Sequence, residues 1–208
     1  DHRLYPRDSA RQRDQLTGMS ARRPSAASKP TRPTSSLDLP TALLTGFEPW
    51  GPHKVNPSGD YLRAPRSFAG WRTVQRVLPV SDDGLSAFED AIQQAAPAAV
   101  ISLGLAADRS ELMLECRARR PADLTDGPAV LTSGWLPTGL ALSTDAGAFY
   151  CNALFYRGLR LAADRGFRMA FLHLPPDCPD RAVTAAIARL LRHHPFSAPP
   201  DRAAPPRS

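Results

Sequence analysis

Apolar and polar positions alternate along the chain in blocks that predict strands and helices in turn. Short apolar or alternating runs are typical of strands, and four of them span residues 41–45, 71–80, 98–103 and 168–174. Apolar residues at helical spacing predict three helices: from Asp82 or Asp83 to before Pro97, from the 143–145 segment to near Gly166, and from Pro179 or Asp180 onward. Strands that alternate with helices predict an α/β fold, a single-domain three-layer α/β/α sandwich around a mostly parallel or mixed sheet.

Two features of the predicted body are less regular. Glycine and proline interrupt any period across residues 121–142, so we predict a loop or a loose hairpin there. The last helix carries an apolar stripe made of Val183, Ile187, Leu190 and Leu191. His193 and His194 follow it at a helix end, where positive charge is favourable, and we interpret them as terminal charge rather than as ligands.

The two ends of the chain differ in composition from the middle. Residues 1–40 carry eight Lys or Arg against four Asp, so +4 of the formal net charge of +6 lies there. This stretch has almost no apolar periodicity, and we predict a disordered basic leader before a domain at 41–194 and a Pro/Ala/Arg-rich tail at 195–208. Met19 lies inside the leader, and a start there is a further hypothesis. The near-neutral body argues against nucleic-acid binding.

The cysteine content and the hydropathy pattern exclude several other classes. Three cysteines without CxxC or metal-ligand spacing indicate neither a disulfide framework nor a zinc site, and we predict no cofactor and no metal. No apolar run approaches the roughly 18 residues of a membrane span, so we predict no membrane partner. The leader lacks the apolar core of a signal peptide, and we predict a cytoplasmic protein.

The segment 143–156 reads STDAGAFYCNALFY and is the first candidate for chemistry. We expect its helix to bury one face made of Phe149, Ala153, Leu154 and Leu161. Cys151 would then lie in the first turns, where unpaired amides and the helix dipole favour a thiolate and lower a thiol pKa. The alternative is a small residue packed on its neighbours.

Two further residues could work with Cys151. His173 lies at the end of the predicted strand 168–174, where α/β proteins place their sites. A cysteine at a helix start and a histidine at the end of the next strand suit a thiolate–imidazolium pair. Glu115 could orient that histidine, or it could be a solvated strand edge beside Arg117. Arg109 follows small residues after a strand, which is also typical of the edge of a site.

The loop at residues 46–58 contains two aromatic residues in a Gly/Pro-rich setting. Phe47 and Trp50 suit the wall of a flat, apolar ligand pocket, although both could instead fold back on the core as a lid. Asn56 precedes Pro57 and Ser58, which indicates a turn or a helix cap, and its side chain could also point into a binding site.

Four segments, in order along residues 41–192, together resemble the pyroglutamyl peptidase I (pyrrolidone-carboxylate peptidase) family of cysteine peptidases. They read LLTGFEPWG with VNPS downstream, SLGLAADRSELMLE, STDAGAFYCN and FLHLPP. The resemblance implies that Cys151 is the nucleophile, that His173 is the general base and then acid, and that Glu115 orients the histidine. It also places Phe47 and Trp50 on the family's ring-binding aromatics.

The function implied by the resemblance is removal of N-terminal pyroglutamate (5-oxoproline) from peptides through an acyl-enzyme. A pyroglutamyl peptide would be the substrate, with aromatic walls and a few polar contacts around a flat lactam that has no α-amine. The family often assembles into dimers or tetramers, so the resemblance leaves a homo-oligomer open.

The chain departs from the family pattern at three places. Leu105 stands where the family usually has Gln, residues 116–125 lack the family's Asn and a supporting Arg, and a helix is missing between Pro137 and Ser143. Arg117, Arg119 or Arg120 could replace the lost guanidinium. Two alternatives stay open: a divergent thiol hydrolase of another small acyl or amide substrate, and a catalytically silent binding or scaffold protein of the same fold.

Overall fold

The computed structural model describes residues 39–194. Twelve elements follow one another in this part of the chain: β1 Thr41–Phe47, α1 Pro57–Arg63, β2 Arg72–Leu78, α2 Asp82–Ala95, β3 Ala99–Leu105, β4 Met113–Glu115, β5 Arg117–Arg119, β6 Val130–Thr132, β7 Ala141–Ser143, α3 Tyr150–Arg165, β8 Arg168–Leu174 and α4 Asp180–Arg192. The predicted tail and the predicted leader, except for its last two residues, lie outside the described residues.

One six-stranded sheet forms the middle of the fold, in the order β2-β1-β3-β8-β4-β7. The first four strands run parallel, β4 runs antiparallel to β8, and β7 runs parallel to β4. β5 and β6 form a separate antiparallel pair. The carboxyl ends of β1, β3 and β8 therefore meet at one edge, where open α/β sheets place their sites.

Helices cover both faces of this sheet, which confirms the three-layer sandwich. Apolar residues of α1 and α4 pack with alternate residues of the parallel strands on one face. Apolar residues of α2 and α3 pack with the intervening residues on the other face. Strands buried on both faces need nearly continuous apolar sequence, which explains why the sequence shows these strands so clearly. None of the helices within residues 39–194 is long and apolar enough to cross a membrane.

The start of α3 differs from the prediction. The side chains of Ser143 and Asp145 accept hydrogen bonds from the backbone two residues ahead, at Asp145 and Gly147, and so they make turns instead of capping a helix. Ser143 ends β7, and α3 begins only at Tyr150, after Phe149. The predicted burial of Phe149 is wrong, because this residue precedes the helix and is 73% exposed.

Two other predictions need correction, and a third holds. Ser81, rather than Asp82 or Asp83, caps α2, because its hydroxyl accepts from the amide of Gly84. The segment predicted as a loop or a loose hairpin is mostly irregular; it contains β6, which pairs antiparallel with β5, and the start of β7. His194 is not a terminal charge: it is buried, Nε2 lies 3.1 Å from the carbonyl oxygen of Ala98, and burial lowers its pKa.

Candidate active site

Cys151 is the second residue of α3 and lies over the carboxyl end of β3. Its Sγ stands 2.8 Å from the position that a Cβ on Gly104 would occupy, so the absence of a side chain at Gly104 makes room for the sulfur. Gly104 pairs with His173 of β8 in the parallel register. Adjacent strands are about 4.8 Å apart, and this register therefore brings the predicted nucleophile and base to one place.

His173 and Glu115 form a buried hydrogen-bonded pair. Nδ1 of His173 lies 2.7 Å from Oε1 of Glu115, and the two residues are 4% and 0% exposed. The antiparallel pairing of β4 with β8 places Met113 opposite His173, so Glu115 lies on the same face of the sheet. Since a carboxylate only accepts, Nδ1 carries the proton and Nε2 is left as the acceptor. The alternative of a solvated strand edge is wrong for Glu115.

Arg109 joins this pair to the loop in front of α3. Its Nη1 donates to Oε1 of Glu115 at 2.7 Å, and its Nη2 donates to Oγ of Ser143 at 3.0 Å and to the carbonyl oxygen of Asp145 at 2.7 Å. The sequence placed Arg109 at the edge of a site but assigned it no role. The ion pair joins the segment after β3 to the end of β4, and a separation of six residues has no regular helical or strand period that would have predicted it.

The other three candidate arginines do not reach the site. Arg117 donates to the carbonyl oxygen of Thr144, and Arg120 donates to those of Thr125 and Gly127. Arg119 is exposed and lies 3.9 Å from the carboxylate of Asp145. None of the three lines the cavity that contains Cys151. The expectation that one of them replaces a missing guanidinium there is wrong.

The surroundings of Glu115 keep it ionised. Burial alone raises its pKa, but hydrogen bonds from His173, Ser143 and Arg109 outweigh burial and hold the pKa below its ordinary value. Oε2 has no partner that meets hydrogen-bond geometry among the described residues, although the Ser143 hydroxyl is close enough to contribute to the lowered pKa. The carboxylate is thus held mainly through Oε1.

The Cys151 thiol behaves differently from the prediction. Burial raises its pKa to about 12, and the nearby negative charge of Glu115 adds to the rise. Its own backbone amide and the guanidinium of Arg109 act in the opposite direction and are outweighed. The residue is partly exposed and lines the cavity, although the atoms packed around it desolvate the thiol. The lowered pKa expected from the helix start alone is therefore wrong, because desolvation exceeds the effect of the dipole.

A cavity of about 550 Å³ opens over Cys151 and His173. Its size is in the usual range for small-molecule sites. Aromatic, aliphatic and small residues form most of its wall, and the two carboxylates that line it, Asp108 and Asp145, belong to exposed residues. Glu115 lies behind His173 and does not line the cavity. The space next to the sulfur therefore suits a neutral, partly apolar group.

The aromatic residues of this cavity have unequal surroundings. Phe47, at the end of β1, is 3% exposed and packs in the core while one side lines the cavity, so both predicted roles apply to it. Trp50 is 48% exposed, and its ring lies 6.3 Å from that of Phe149, which also lines the cavity. The sequence missed Phe149 as a wall residue because helical periodicity assigned it to the core.

Asn56 lines the cavity, but its side-chain hydrogen bonds are made within its own loop and to the first turn of α1. Its Oδ1 accepts from the amide and the hydroxyl of Ser58, and its Nδ2 donates to the carbonyl oxygen of Glu48. Ser58 in turn accepts from the amide of Phe47. The predicted cap is therefore confirmed, and this network holds the backbone at Phe47 and Glu48, where β1 leads into the loop that carries Trp50.

The departures noted in the sequence have structural counterparts. Leu105 lines the cavity, so an apolar side chain stands where an amide was expected. The stretch from β6 to β7 contains no helix within the described residues. Asn152, next to the candidate nucleophile, pairs with the amide and carbonyl of Arg119 and thereby anchors β5 to α3. Within residues 39–194 no group of three or more His, Cys, Asp or Glu could hold a metal ion.

Sequence comparison identifies similar proteins. A family model described as Pyroglutamyl peptidase matches residues 41–126. The chain is 32% identical over 178 residues to the pyrrolidone-carboxylate peptidase of Chromobacterium violaceum, covering 70% of this chain and 81% of that protein. It is 29% identical over 171 residues to pyrrolidone-carboxylate peptidase 1 of Ralstonia nicotianae, covering 66% and 79% of the two chains.

Structural comparison finds the same kind of protein. The pyrrolidone carboxyl peptidase of Thermus thermophilus superposes with a TM-score of 0.64 at 30% identity, covering 73% of this chain and 99% of that one. The pyrrolidone carboxyl peptidase of Thermococcus litoralis also gives a TM-score of 0.64, at 24% identity, over 74% of this chain and 92% of that one. At that lower identity the likeness shows the shared fold.

Proposed function

The chain belongs to the pyroglutamyl peptidase family of cysteine peptidases, and we propose that it removes N-terminal pyroglutamate from peptides with Cys151 as nucleophile. The family resemblance drawn from the four sequence segments is thereby confirmed. One observation carries the proposal: Cys151 at the start of α3 and His173 line the same cavity, and Nδ1 of His173 is hydrogen-bonded to Glu115.

The first half of the reaction forms an acyl-enzyme. Sγ of Cys151 attacks the carbonyl carbon that joins pyroglutamate to the next residue, while Nε2 of His173 takes the thiol proton. The tetrahedral intermediate then collapses, the carbon–nitrogen bond breaks, and His173 gives its proton to the leaving amine. A thioester between the pyroglutamyl group and Cys151 remains.

The second half hydrolyses the thioester. His173 takes a proton from water, the hydroxide attacks the acyl carbon, and collapse releases 5-oxoproline and returns the proton to Sγ. Glu115 accepts the Nδ1 hydrogen bond throughout, so it stabilises the imidazolium that forms in each half. The backbone amide of Cys151 has no partner within the helix and is the donor we assign to the oxyanion.

The raised pKa of Cys151 determines when the proton moves. With a thiol pKa of about 12, the sulfur of the free protein is neutral near pH 7. We therefore infer that proton transfer to His173 accompanies the attack on substrate, in the manner of a serine peptidase, and that the resting protein holds no thiolate–imidazolium pair.

The walls of the cavity support a lactam as the group bound beside the sulfur. A pyroglutamyl ring is flat and neutral, and it has no α-amine that would need a carboxylate. We propose that Phe47 and Trp50 flank this ring and that Asn56 holds the loop that carries them. Asp108 and Asp145 belong to exposed residues, where a charge remains hydrated and does not anchor a buried group.

A second candidate function rests on Leu105. Its apolar side chain in the wall removes one polar contact that a lactam could use, which favours a thiol hydrolase of another small acyl or amide substrate. The absence of turnover on a pyroglutamyl amide, together with Cys151-dependent cleavage of another acyl substrate, would favour this reading.

The test compares two amide substrates whose N-terminal rings have the same size but different chemistry. Purified protein, kept reduced, is assayed with a pyroglutamyl and with a prolyl fluorogenic amide. The prolyl ring has the same size but carries a protonated amine and lacks the lactam carbonyl. We expect kcat/KM for the pyroglutamyl amide to be at least about 100-fold higher, because a charged amine entering this cavity would lose hydration without gaining a buried partner.

Two variants control this assay. Cys151→Ala should lower turnover by at least about 1000-fold, because no other nucleophile is placed to form the thioester. Cys178→Ala is the matched control, since Cys178 lies in a separate pocket beside Pro175 and Pro176, and it should keep wild-type turnover. Equal turnover by wild type and Cys151→Ala, or no pyroglutamyl turnover by folded wild-type protein, would contradict the proposal.

Other properties remain predictions. The pyroglutamyl peptide is the proposed partner. The sequence alone supports the expectations that the protein has no nucleic-acid or membrane partner and is cytoplasmic. The family resemblance leaves a homo-oligomer open. The boundaries at residues 40 and 195 likewise stay predictions.

A further inference from the structure

Arg109 supplies the positive charge nearest to the candidate triad. It is the only Arg or Lys among the cavity-lining residues of the described chain, and its side chain is 18% exposed. All three of its side-chain hydrogen bonds go to groups of the site: one to Glu115 and two to the segment that precedes α3. The contact to the buried carboxylate of Glu115 connects Arg109 to the candidate triad, and the other two connect it to the segment that leads into the helix of Cys151.

We propose that Arg109 is a positioning residue that ties Glu115 to Ser143 and Asp145 and so holds the carboxylate of β4 and the nucleophile of α3 in one arrangement. This inference rests on the proposed function, because the positions it fixes are those of Cys151, His173 and Glu115.

The geometry of Oε1 of Glu115 explains why the guanidinium matters. This single oxygen accepts both from Nδ1 of His173 and from Nη1 of Arg109, each at 2.7 Å. Without a positive partner a buried carboxylate takes up a proton more readily, and a neutral carboxyl would no longer stabilise the imidazolium of His173 by its charge. Arg109 therefore keeps Glu115 an acceptor while holding it in place.

The same charge also acts on the nucleophile. Arg109 lowers the pKa of Cys151, whereas Glu115 raises it. The titratable or charged groups that face Glu115 from the surrounding elements are His173 on β8, Arg109 after β3, Cys151 on α3 and its neighbour Cys116. Removal of Arg109 would leave both Glu115 and Cys151 with a higher pKa, so the expected effects on activity have the same sign.

The chain offers a matched control for the test. Arg117 binds the carbonyl oxygen of Thr144, next to the carbonyl that Arg109 binds, but it does not contact Glu115. Arg117→Met therefore removes a guanidinium that binds the same segment, and it leaves the surroundings of the Glu115 carboxylate unchanged. Arg109→Met removes the hydrogen bond to Glu115 and the two hydrogen bonds to the segment before α3. Arg109→Lys keeps the positive charge but lacks the forked guanidinium that reaches all three acceptors.

The first experiment measures kcat and KM on the pyroglutamyl amide between pH 5.5 and pH 9. For Arg109→Met we expect kcat to fall about 100-fold at pH 6 and about 10-fold at pH 8.5, with KM within about threefold, because Glu115 regains its charge at higher pH. Arg109→Lys should restore part of the rate. Arg117→Met should stay within about threefold of wild type at every pH.

A second measurement needs no substrate. In a Cys116→Ala, Cys178→Ala background, iodoacetamide should alkylate Cys151 more slowly in Arg109→Met than in the parent at each pH, because the thiol has lost a positive neighbour. Far-ultraviolet circular dichroism checks the fold. If Arg109→Met does not fold, Arg109→Lys and Ser143→Ala carry the same comparison, since each removes only part of the network.

The outcomes separate the two proposals. A wild-type protein that fails to cleave the amide, while Arg109→Met still slows alkylation, refutes the peptidase proposal and leaves the role of Arg109 standing. Cleavage by wild type combined with an equal loss at every pH in Arg109→Met, or with an Arg117→Met profile that matches it, refutes the role of Arg109 alone.

Discussion

Two buried histidines with similar exposure, His173 and His194, have different surroundings. His173 is 4% exposed, pairs through Nδ1 with the carboxylate of Glu115, and lines a cavity. His194 is 3% exposed, lies near the carbonyl of Ala98, and packs in T-shaped arrangements with two indole rings, at centroid distances of 5.0 Å to Trp71 and 5.7 Å to Trp135.

The difference shows that burial alone does not make a histidine a catalyst. A carboxylate at Nδ1 stabilises the imidazolium, and the cavity gives the other nitrogen access to a substrate. Around His194, burial favours the neutral imidazole and lowers the pKa, and this effect outweighs the Ala98 carbonyl, which favours the charged form. We therefore expect His173 to determine activity and His194 to determine stability, and four predictions test this division.

The largest expected effect is on activity. His173→Gln should lower kcat on a pyroglutamyl amide by at least about 1000-fold, because glutamine cannot accept the thiol proton. His194→Gln should keep kcat within about threefold while lowering the free energy of unfolding by about 1–3 kcal/mol. Steady-state kinetics and urea unfolding measure both quantities. A catalytic loss in His194→Gln that exceeds the loss in His173→Gln would reverse the comparison.

Loss of the carboxylate should have the next largest effect. Glu115→Gln keeps the shape of the side chain but removes the charge that stabilises the imidazolium, and we expect kcat to fall about 100-fold to 1000-fold with little change in KM. Glu111→Gln, on an exposed residue outside the Cys151 cavity, is the control and should leave kcat unchanged. The prediction is wrong if the two variants have equal kcat.

The pH dependence of stability should identify His194. Burial lowers the pKa of this residue, the Ala98 carbonyl raises it, and the charge of Arg168 lowers it further, so that the folded pKa is below the ordinary value. Below about pH 6.5 the unfolded chain binds a proton that the folded chain does not, and stability falls as the pH decreases towards the folded pKa. Above about pH 6.5 the full contribution of neutral His194 to the free energy of unfolding is present.

Urea unfolding at pH 7.5 and pH 5.5 tests this sign. The loss of stability between the two pH values should be smaller in His194→Gln than in wild type, because glutamine does not titrate. An equal loss in both proteins would show that other groups cause the pH dependence.

The smallest expected effect concerns the aromatic surroundings of His194. The indole Nε1 of Trp135 is buried, and no residue of the described part of the chain accepts its hydrogen bond. Trp135→Phe removes that unpaired donor along with some apolar surface, so the free energy of unfolding should change by less than about 1.5 kcal/mol. Trp135→Ala should cost about 3–5 kcal/mol. Thermal unfolding followed by circular dichroism distinguishes these values, and equal losses in the two variants would contradict the argument.

The sequence predicted the central parallel strands because they are buried on both faces and are nearly continuous in apolar residues, and it predicted the three long helices because each buries one face with a helical period. It also predicted the candidate residues that lie at the ends of these elements, Cys151 and His173, and the cap at Asn56. The cap of α2 and the start of α3 were displaced because Ser81, Ser143 and Asp145 offer competing local hydrogen bonds. The sequence alone does not show which backbone amide a serine or aspartate oxygen of this kind will bind.

What the sequence determined by itself was the α/β sandwich, its family and the residue types of the candidate triad, since these depend on periodicity and on short motifs. The tertiary structure decided which charges meet. Arg109 reaches Glu115 because β4 reverses direction next to β8, burial lowers the pKa of His194, and burial raises the pKa of the Cys151 thiol. Each of these depends on burial or on how the chain turns back against a neighbouring strand, and both arise only when the layers pack.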